Sequence, residues 1–166
     1  MNSFDDYVRA RGTALLRFGY LLGGDAHLAE DLVQEALARC HRSWPRISAA
    51  GDPDAYVRKA VLRQFLSWRR RFSFGERVTA DMTPHAAATA DRSEAVADRE
   101  VLWRLLAGLS RMQRAVLVLR FYEDLAYAQI ADLLDVGEST VRVHAHKGLS
   151  ALRVSPQLVG EKEAGR

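Results

Sequence analysis

Six basic residues fall between Ala55 and Gly75 (Arg58, Lys59, Arg63, Arg69, Arg70 and Arg71), and no acidic residue interrupts them. Wound at about 100° per residue, Lys59, Arg63 and Arg70 share one stripe, with Arg58 and Arg69 beside it. Val57, Val61 and Trp68 point the other way. A helix with one wholly cationic face is a track for phosphates, because each neutralised phosphate releases condensed counterions. Calmodulin-like partners and membrane surfaces also take basic amphipathic helices, so that alternative stays open here. Aromatics interleave the region: Trp44, Tyr56, Phe65, Trp68, Phe72 and Phe74. Exposed aromatics beside cations stack on unpaired bases. Taken singly, each is more often a core residue, and Trp68 sits on the apolar face.

A second chemical pattern runs from Tyr127 to Lys147 and has helix-turn-helix spacing. Small Ala131 lets two helices approach, while Ile130, Leu134, Val136 and Val141 fill the angle between them. Gly137 permits the turn and serves as a helix start. In the last helix Val141, Ala145, Leu149 and Leu152 face inward. Ser139, Val143, His146 and Ser150 face outward, flanked by Arg142, Lys147 and Arg153. No acidic residue occurs from Ser139 to Gly160. Short donors such as Ser139 and Thr140 reach base edges, Val143 meets a thymine methyl, and the longer cations take phosphates. His144 and His146 lie about 200° apart on a helix and cannot chelate one metal. His146 reads as a DNA-facing donor, and His144 as a surface or domain-packing residue.

The helix before these differs in sign. Glu30, Asp31, Gln34 and Glu35 form an acidic, hydrogen-bonding patch away from Leu28, Leu32 and Ala36. It repels DNA and suits a basic protein partner. An enzyme is disfavoured: the sequence has no Gly-rich phosphate loop, nucleophile elbow or metal-ligand cluster, and Cys40 lies on an apolar helical face. No cofactor, metal or small-molecule substrate is implied. The single cysteine excludes an internal disulfide and fits a reducing cytosol. No stretch approaches 18 apolar residues, and the acidic start Asn2-Ser3-Phe4-Asp5-Asp6 lacks a signal peptide's basic region, so a cytoplasmic protein without membrane contact is expected. The net charge is only +3 although the pI is near 9.3, so position matters more than total charge.

These side chains need helices to hold them, and the periodicity is helical nearly throughout. Phe4, Val8, Leu15, Phe18 and Leu22 mark a first helix ended by Gly23-Gly24. Asp25 caps a second, reaching about Trp44, with Leu28, Leu32, Ala36 and Cys40 inward. Pro45 stops it, and Arg46 to Gly51 reads as a loop. Asp52-Pro53 starts a third helix that runs to about Phe72. From Ser73 to about Arg92 small and polar residues dissolve the pattern into a linker. Helical signal resumes near Ser93 with Val96, Trp103, Leu106 and Leu109, followed by helices at about 110–122, 126–134 and 138–152. The expectation is an all-α chain of two small helical domains, 1–72 and 96–153, joined by a linker at 73–95. A tail at 154–166 follows, with no additional regulatory domain.

Three ordered motifs resemble extracytoplasmic-function (ECF) RNA polymerase sigma factors of the sigma-70 family, in their short actinobacterial branch. The first is Ala29-Glu30-Asp31-Leu32-Val33-Gln34-Glu35-Ala36 followed by Trp44. The second is Ala55-Tyr56-Val57-Arg58 through Ser67-Trp68-Arg69-Arg70-Arg71. The third is Leu109 to Leu125, continuing into the helix-turn-helix. The likeness covers about residues 4–153. It implies an alternative sigma factor with a region 2 domain and a region 4 domain. Asp31, Leu32, Gln34 and Glu35 would dock on the clamp coiled coil of the polymerase largest subunit. The loop Arg46–Asp52 and the third helix, with Arg58, Lys59, Arg63 and Arg70, would engage the minus-ten element and hold its single strand open. Ser139, Thr140, Arg142, Val143, His146 and Lys147 would read the duplex minus-thirty-five element. The linker would thread the polymerase cleft, and an anti-sigma protein is a further partner the resemblance allows.

The chain departs from the family pattern at three positions. Arg63 stands where an Asn is usual, which bears on minus-ten preference. Gly137 replaces the usual Ser cap of the recognition helix, and Asp135 replaces a common turn glycine. Two rivals remain. A helix-turn-helix regulator acting on duplex DNA without polymerase would use residues 110–153 and leave the first two motifs idle. A sigma-like decoy or scaffold would bind polymerase without initiating, with Arg63 as its best support.

Overall fold

The structure is a computed structural model that describes residues 3–72 and 94–155, with side chains described over 3–67 and 97–155. Residues 73–93 of the linker expected at 73–95, and the tail beyond Ser155, lie outside the described residues. Every described element is helical. The chain divides into two compact units, Met1–His85 and Ala86–Arg166.

The first unit holds α1 (Phe4–Gly23), α2 (Ala26–His41), α3 (Trp44–Ala49) and α4 (Pro53–Phe72). Caps set the boundaries. Ser3 Oγ accepts from the Asp6 N–H at 3.1 Å, and Asp5 and Asp6 complement the positive helix end. Gly24, at φ 74°, closes α1 in the left-handed conformation that glycine adopts without a Cβ clash. Asp25 Oδ1 accepts from Leu28 N–H at 2.8 Å, and Asp52 Oδ1 from Ala55 N–H at 3.0 Å, so both expected carboxylate caps form.

α2 is the centre of this unit, packing on α1 and on α4. Phe18 and Leu22 of α1, Ala36 and Cys40 of α2, and Val57, Val61 and Leu62 of α4 are almost wholly buried. Each large apolar side chain among them contributes about 1.5–3 kcal/mol. The Gln64 amide, turned with its oxygen toward Arg39, accepts from that guanidinium at 3.0 to 3.2 Å and ties α4 to α2. The α1–α2 crossing is tight at Gly19, where a Cβ would lie 3.3 Å from the Ala29 Cα, Cβ and carbonyl oxygen. Gly19→Val is therefore expected to destabilise the unit by about 2 kcal/mol. Gly12→Ala, with only Val8 Cγ1 at 4.0 Å, should instead stabilise it by up to about 1 kcal/mol. Urea unfolding followed by circular dichroism reads both, and a neutral Gly19→Val would show that the crossing has slack.

The segment 46–51 is not a plain loop, because residues through Ala49 form α3. Pro45 lies in the first helical turn, where its missing N–H breaks no bond, so it begins a helix rather than only ending one. Trp44 and Ile47, one turn apart, are both buried and anchor α3 to the core. Phe4 and Tyr7 pack their rings on Trp44, at 5.3 and 4.9 Å between centroids. Gly51, at φ 97°, turns the chain into α4.

The second unit holds α5 (Glu94–Ala107), α6 (Arg111–Leu117), a π-helical turn at Val118–Tyr122, α7 (Tyr127–Leu134) and α8 (Glu138–Arg153). Helix α5 thus already includes Glu94 and Ala95. A Ser110–Gln113 capping box opens α6. Arg114, whose guanidinium is half-buried, donates to the Leu106, Ala107 and Leu109 carbonyls and closes the end of α5. The expected 110–122 helix widens at its end, where Glu123 N–H reaches the Val118 carbonyl at 3.1 Å. Leu119, Ile130, Val116, Val141 and Ala145 form the core. Helix α8 lies close to α6 at Gly148, where a Cβ would sit 2.9 Å from Leu117 Cδ1.

Gly137, at φ −71°, is the N-cap of α8 and so starts that helix as the sequence suggests, but the left-handed turn residue is Asp135 (φ 54°). The chain thus places a β-carbon where glycine is the less strained residue.

Candidate nucleic-acid interfaces

Helix α8 exposes all six side chains expected to meet duplex DNA: Ser139, Thr140, Arg142, Val143, His146 and Lys147. Val143 is 49% exposed, unusual for an aliphatic side chain flanked by polar ones and suited to a methyl contact. Ile130, Leu134 and Val141 are buried and Val136 is half-buried, so they fill the helix-turn-helix angle as the spacing predicts. Ser150 is half-buried and lies at the margin of the outward face. His144 is half-buried with an enclosed Nδ1, which separates it from the exposed His146.

The cationic face of α4 is more divided. Arg63 is exposed and Lys59 half-exposed one turn before it. Tyr56, 47% exposed, is the aromatic near them, while Trp44 and Phe65 belong to the core. Arg70 lies on the last turns of α4, and its side chain, like those of Trp68, Arg69, Arg71 and Phe72, falls outside the described residues, as does Phe74. Arg46, on α3, and Asp52, the α4 cap, are exposed on the segment that leads into this helix.

Arg58 is not a free phosphate ligand. Its Nη2 donates to Asp54 Oδ2 at 2.6 Å, and only 17% of its side chain is exposed. The same carboxylate accepts from Arg11 at 2.6 and 3.0 Å and from the Tyr7 hydroxyl at 3.0 Å. Burial pushes the Asp54 carboxyl up, but the hydrogen bonds from Arg11, Arg58 and Tyr7 outweigh it and hold the group at about 2. Burial, reinforced by the Asp54 charge, drives the Tyr7 phenol well above its usual range. Arg58 is therefore held within α4 by Asp54, and it is Asp54, through Tyr7 and Arg11, that fastens the start of α4 to α1.

On α2, Glu30, Asp31, Gln34 and Glu35 are exposed together, and Glu35 pairs with Arg39 at 3.0 Å. Leu32 is 4% exposed and belongs to the core, because it falls on the same helical face as Ala29, Val33 and Ala36. It supports the acidic face from beneath and presents no contact surface.

Residues 7–73 match the family described as Sigma-70 region 2, and residues 99–152 match Sigma-70, region 4. The RNA polymerase sigma-E factor of Streptomyces avermitilis is 35% identical over 150 residues, covering 90% of this chain and 83% of that one. The chain belongs to the ECF sigma factors of the sigma-70 family. The ECF RNA polymerase sigma factor SigL of Mycobacterium tuberculosis is 34% identical over 153 residues, covering 88% and 84% of the two chains. In fold, the chain is similar to the sigma factor RpoE of Bartonella quintana, solved in complex with the anti-sigma factor NepR. That likeness has a TM-score of 0.68 at 18% identity, over 92% of this chain and 96% of that one.

A bare helix-turn-helix regulator accounts for the region 4 match and not for region 2. The sigma factor uses both units, and its function is promoter-specific initiation of transcription with RNA polymerase. Sequence reasoning passed over three residues that shape these surfaces: Asp54, Arg114 and Tyr127. Asp54 was signalled by its spacing of four from Arg58, the arrangement of an intrahelical ion pair. Tyr127 stood at the start of the helix-turn-helix with no assigned role.

Proposed function

We propose that this ECF sigma factor docks on the clamp coiled coil of the polymerase largest subunit through Asp31, Gln34 and Glu35 of α2. It then grips the opened minus-ten strand with α3, α4 and their junction, through Arg46, Asp52, Lys59, Arg63 and Arg70. Region 4 lays α8 in the major groove of the minus-thirty-five duplex. The observation that carries this reading is the separation of sign: α2 exposes an acidic face, while α4 and α8 expose cationic ones. DNA repels the first and attracts the others, so each can serve one partner without competing for it. Action on polymerase and promoter DNA places the protein in the cytoplasm. The solved neighbour is bound by an anti-sigma factor, and a protein of that class is the regulator to seek for this chain.

In vitro transcription with purified core polymerase tests the whole reading. A duplex-only regulator binds DNA unaided and starts no transcripts, and a decoy binds core without starting any. Within that assay, Asp31→Ala combined with Gln34→Ala should weaken core binding about tenfold or more, as loss of interface contacts worth roughly 1.4 kcal/mol would. Both side chains are exposed, so folding should be unaffected. A pull-down of unchanged strength would refute the docking assignment.

A further inference from the structure

Two guanidinium groups converge on one ring at the base of the recognition helix. Arg142 Cζ lies 4.9 Å from the centroid of Tyr127, and Arg120 Cζ lies 5.5 Å from it. Arg142 also donates from Nη2 to Glu138 Oε1 at 2.6 Å, one turn earlier on α8. Arg120 donates to the Leu125 carbonyl at 3.3 Å, closing the loop that leads from the π-helical turn to α7. Tyr127 is the first residue of α7, half-buried, and thus joined to the recognition helix by a contact outside the hydrophobic core.

We propose that Tyr127 is a positioning residue for minus-thirty-five recognition, its ring holding the Arg142 guanidinium ready to read a guanine. The inference rests on the assignment of α8 to the promoter duplex made above. An arginine side chain is long and rotamer-rich, and immobilising it on binding is costly. Arg142 is 61% exposed, so nothing in the core restrains it. The ring and the Glu138 carboxylate restrain it instead, one at the guanidinium face and the other at a single N–H edge. The remaining N–H groups stay available for the O6 and N7 acceptors of guanine, which require a planar fork in a fixed orientation. Arg142 falls in the second turn of α8, within the N-terminal part of a recognition helix that meets base edges. Lys147, with a compact charge on a flexible stem, has no such ring among the described residues and suits a phosphate. The ring thus separates a base-reading cation from a phosphate-holding one on the same helix. Glu138 adds to the discrimination, since its carboxylate repels phosphates that would otherwise capture Arg142 non-specifically.

The test uses holoenzyme reconstituted from the full chain and core polymerase. A promoter recovered by sequencing the transcripts of that holoenzyme is randomised over its minus-thirty-five element, and the base preferences of variants are compared. Arg142→Ala should erase a guanine preference at one position. Tyr127→Leu, which keeps apolar bulk, should weaken preference at that same position about two- to fivefold, while Tyr127→Phe retains it. Adding Tyr127→Leu to Arg142→Ala should change nothing further. The proposal is overturned if Tyr127→Leu leaves the preference intact, if it weakens all positions alike, or if its effect persists without Arg142. An intact preference in Arg142→Ala overturns it too. A wild-type holoenzyme that enriches no upstream element at all sinks the α8 assignment itself, and the inference with it.

Discussion

Asp54→Ala is expected to be the most destabilising single substitution in the region 2 unit, costing about 3 kcal/mol at neutral pH. The carboxylate accepts from the Tyr7 hydroxyl and from two arginines, and its own side chain is only 18% exposed. Removing it strands the hydroxyl of a residue that is 2% exposed, which alone costs about 1–3 kcal/mol, and loses the ion pair with poorly exposed Arg58. Arg11, 43% exposed, can turn to water and contributes less. Acid should reproduce much of the effect. The folded-state value of about 2 lies below the unfolded carboxyl near 3.9, so the stabilisation is complete above about pH 4. It is lost as pH falls through about 2, and is on the order of 2 kcal/mol. Urea unfolding of wild type and Asp54→Ala at pH 7 and again near pH 2 checks both statements. A gap between the two proteins that fails to narrow in acid would mean that the carboxylate charge is not what holds α1 to α4. Tyr7→Phe should cost less in the Asp54→Ala background than alone, because the hydroxyl has by then lost its acceptor.

That network also marks where the sequence stopped being informative. A helical wheel places Arg58 beside Lys59 and Arg63 correctly, but it cannot see Tyr7 and Arg11, which reach Asp54 across 47 and 43 residues of chain. Most ends of the long helices were legible: α1 ends, and α2 and α4 begin, close to where Gly24, Asp25 and Asp52-Pro53 dictate, although α2 stops at His41 rather than near Trp44. Helix α3 was not, because six residues are too few to show a period and Pro45 signals a stop as readily as a start. The spacing of Trp44 and Ile47 was the available clue. For α8 the buried positions Val141 and Ala145 followed from periodicity, and the exposed Ser139, Val143 and His146 followed with them. The strained turn residue was legible only in part: the family likeness puts a common turn glycine at position 135, whereas the helix-turn-helix spacing alone led to Gly137. Leu32 shows the converse. Its own pattern with Leu28 and Ala36 pointed inward, and family likeness alone drew it toward the surface.

Reversing charge at both Lys59 and Arg63 should abolish promoter opening while leaving polymerase binding intact. The two residues follow one another on the exposed side of α4, on a helix whose opposite face is locked by Val57, Val61 and Leu62. The helix is therefore a rigid mount, and glutamates at these positions would meet the strand backbone at nearly the same distance with repulsion in place of attraction. Each unstacked base costs a few kcal/mol, so strand opening is a near-balanced step that tolerates little loss. A loss of about 1.4 kcal/mol per residue reduces the open complex roughly a hundredfold for the pair. Salt provides a second readout, because a protein holding fewer strand phosphates shows a shallower dependence, by roughly 0.7 per contact on single strands. Permanganate footprinting of Lys59→Glu with Arg63→Glu, beside a core pull-down, decides the matter. A melted bubble of wild-type intensity would move the strand-gripping surface elsewhere in region 2, with exposed Arg46 on α3 the next place to look. Loss of core binding together with the bubble would instead show that α4 and the acidic face of α2 do not act on separate partners.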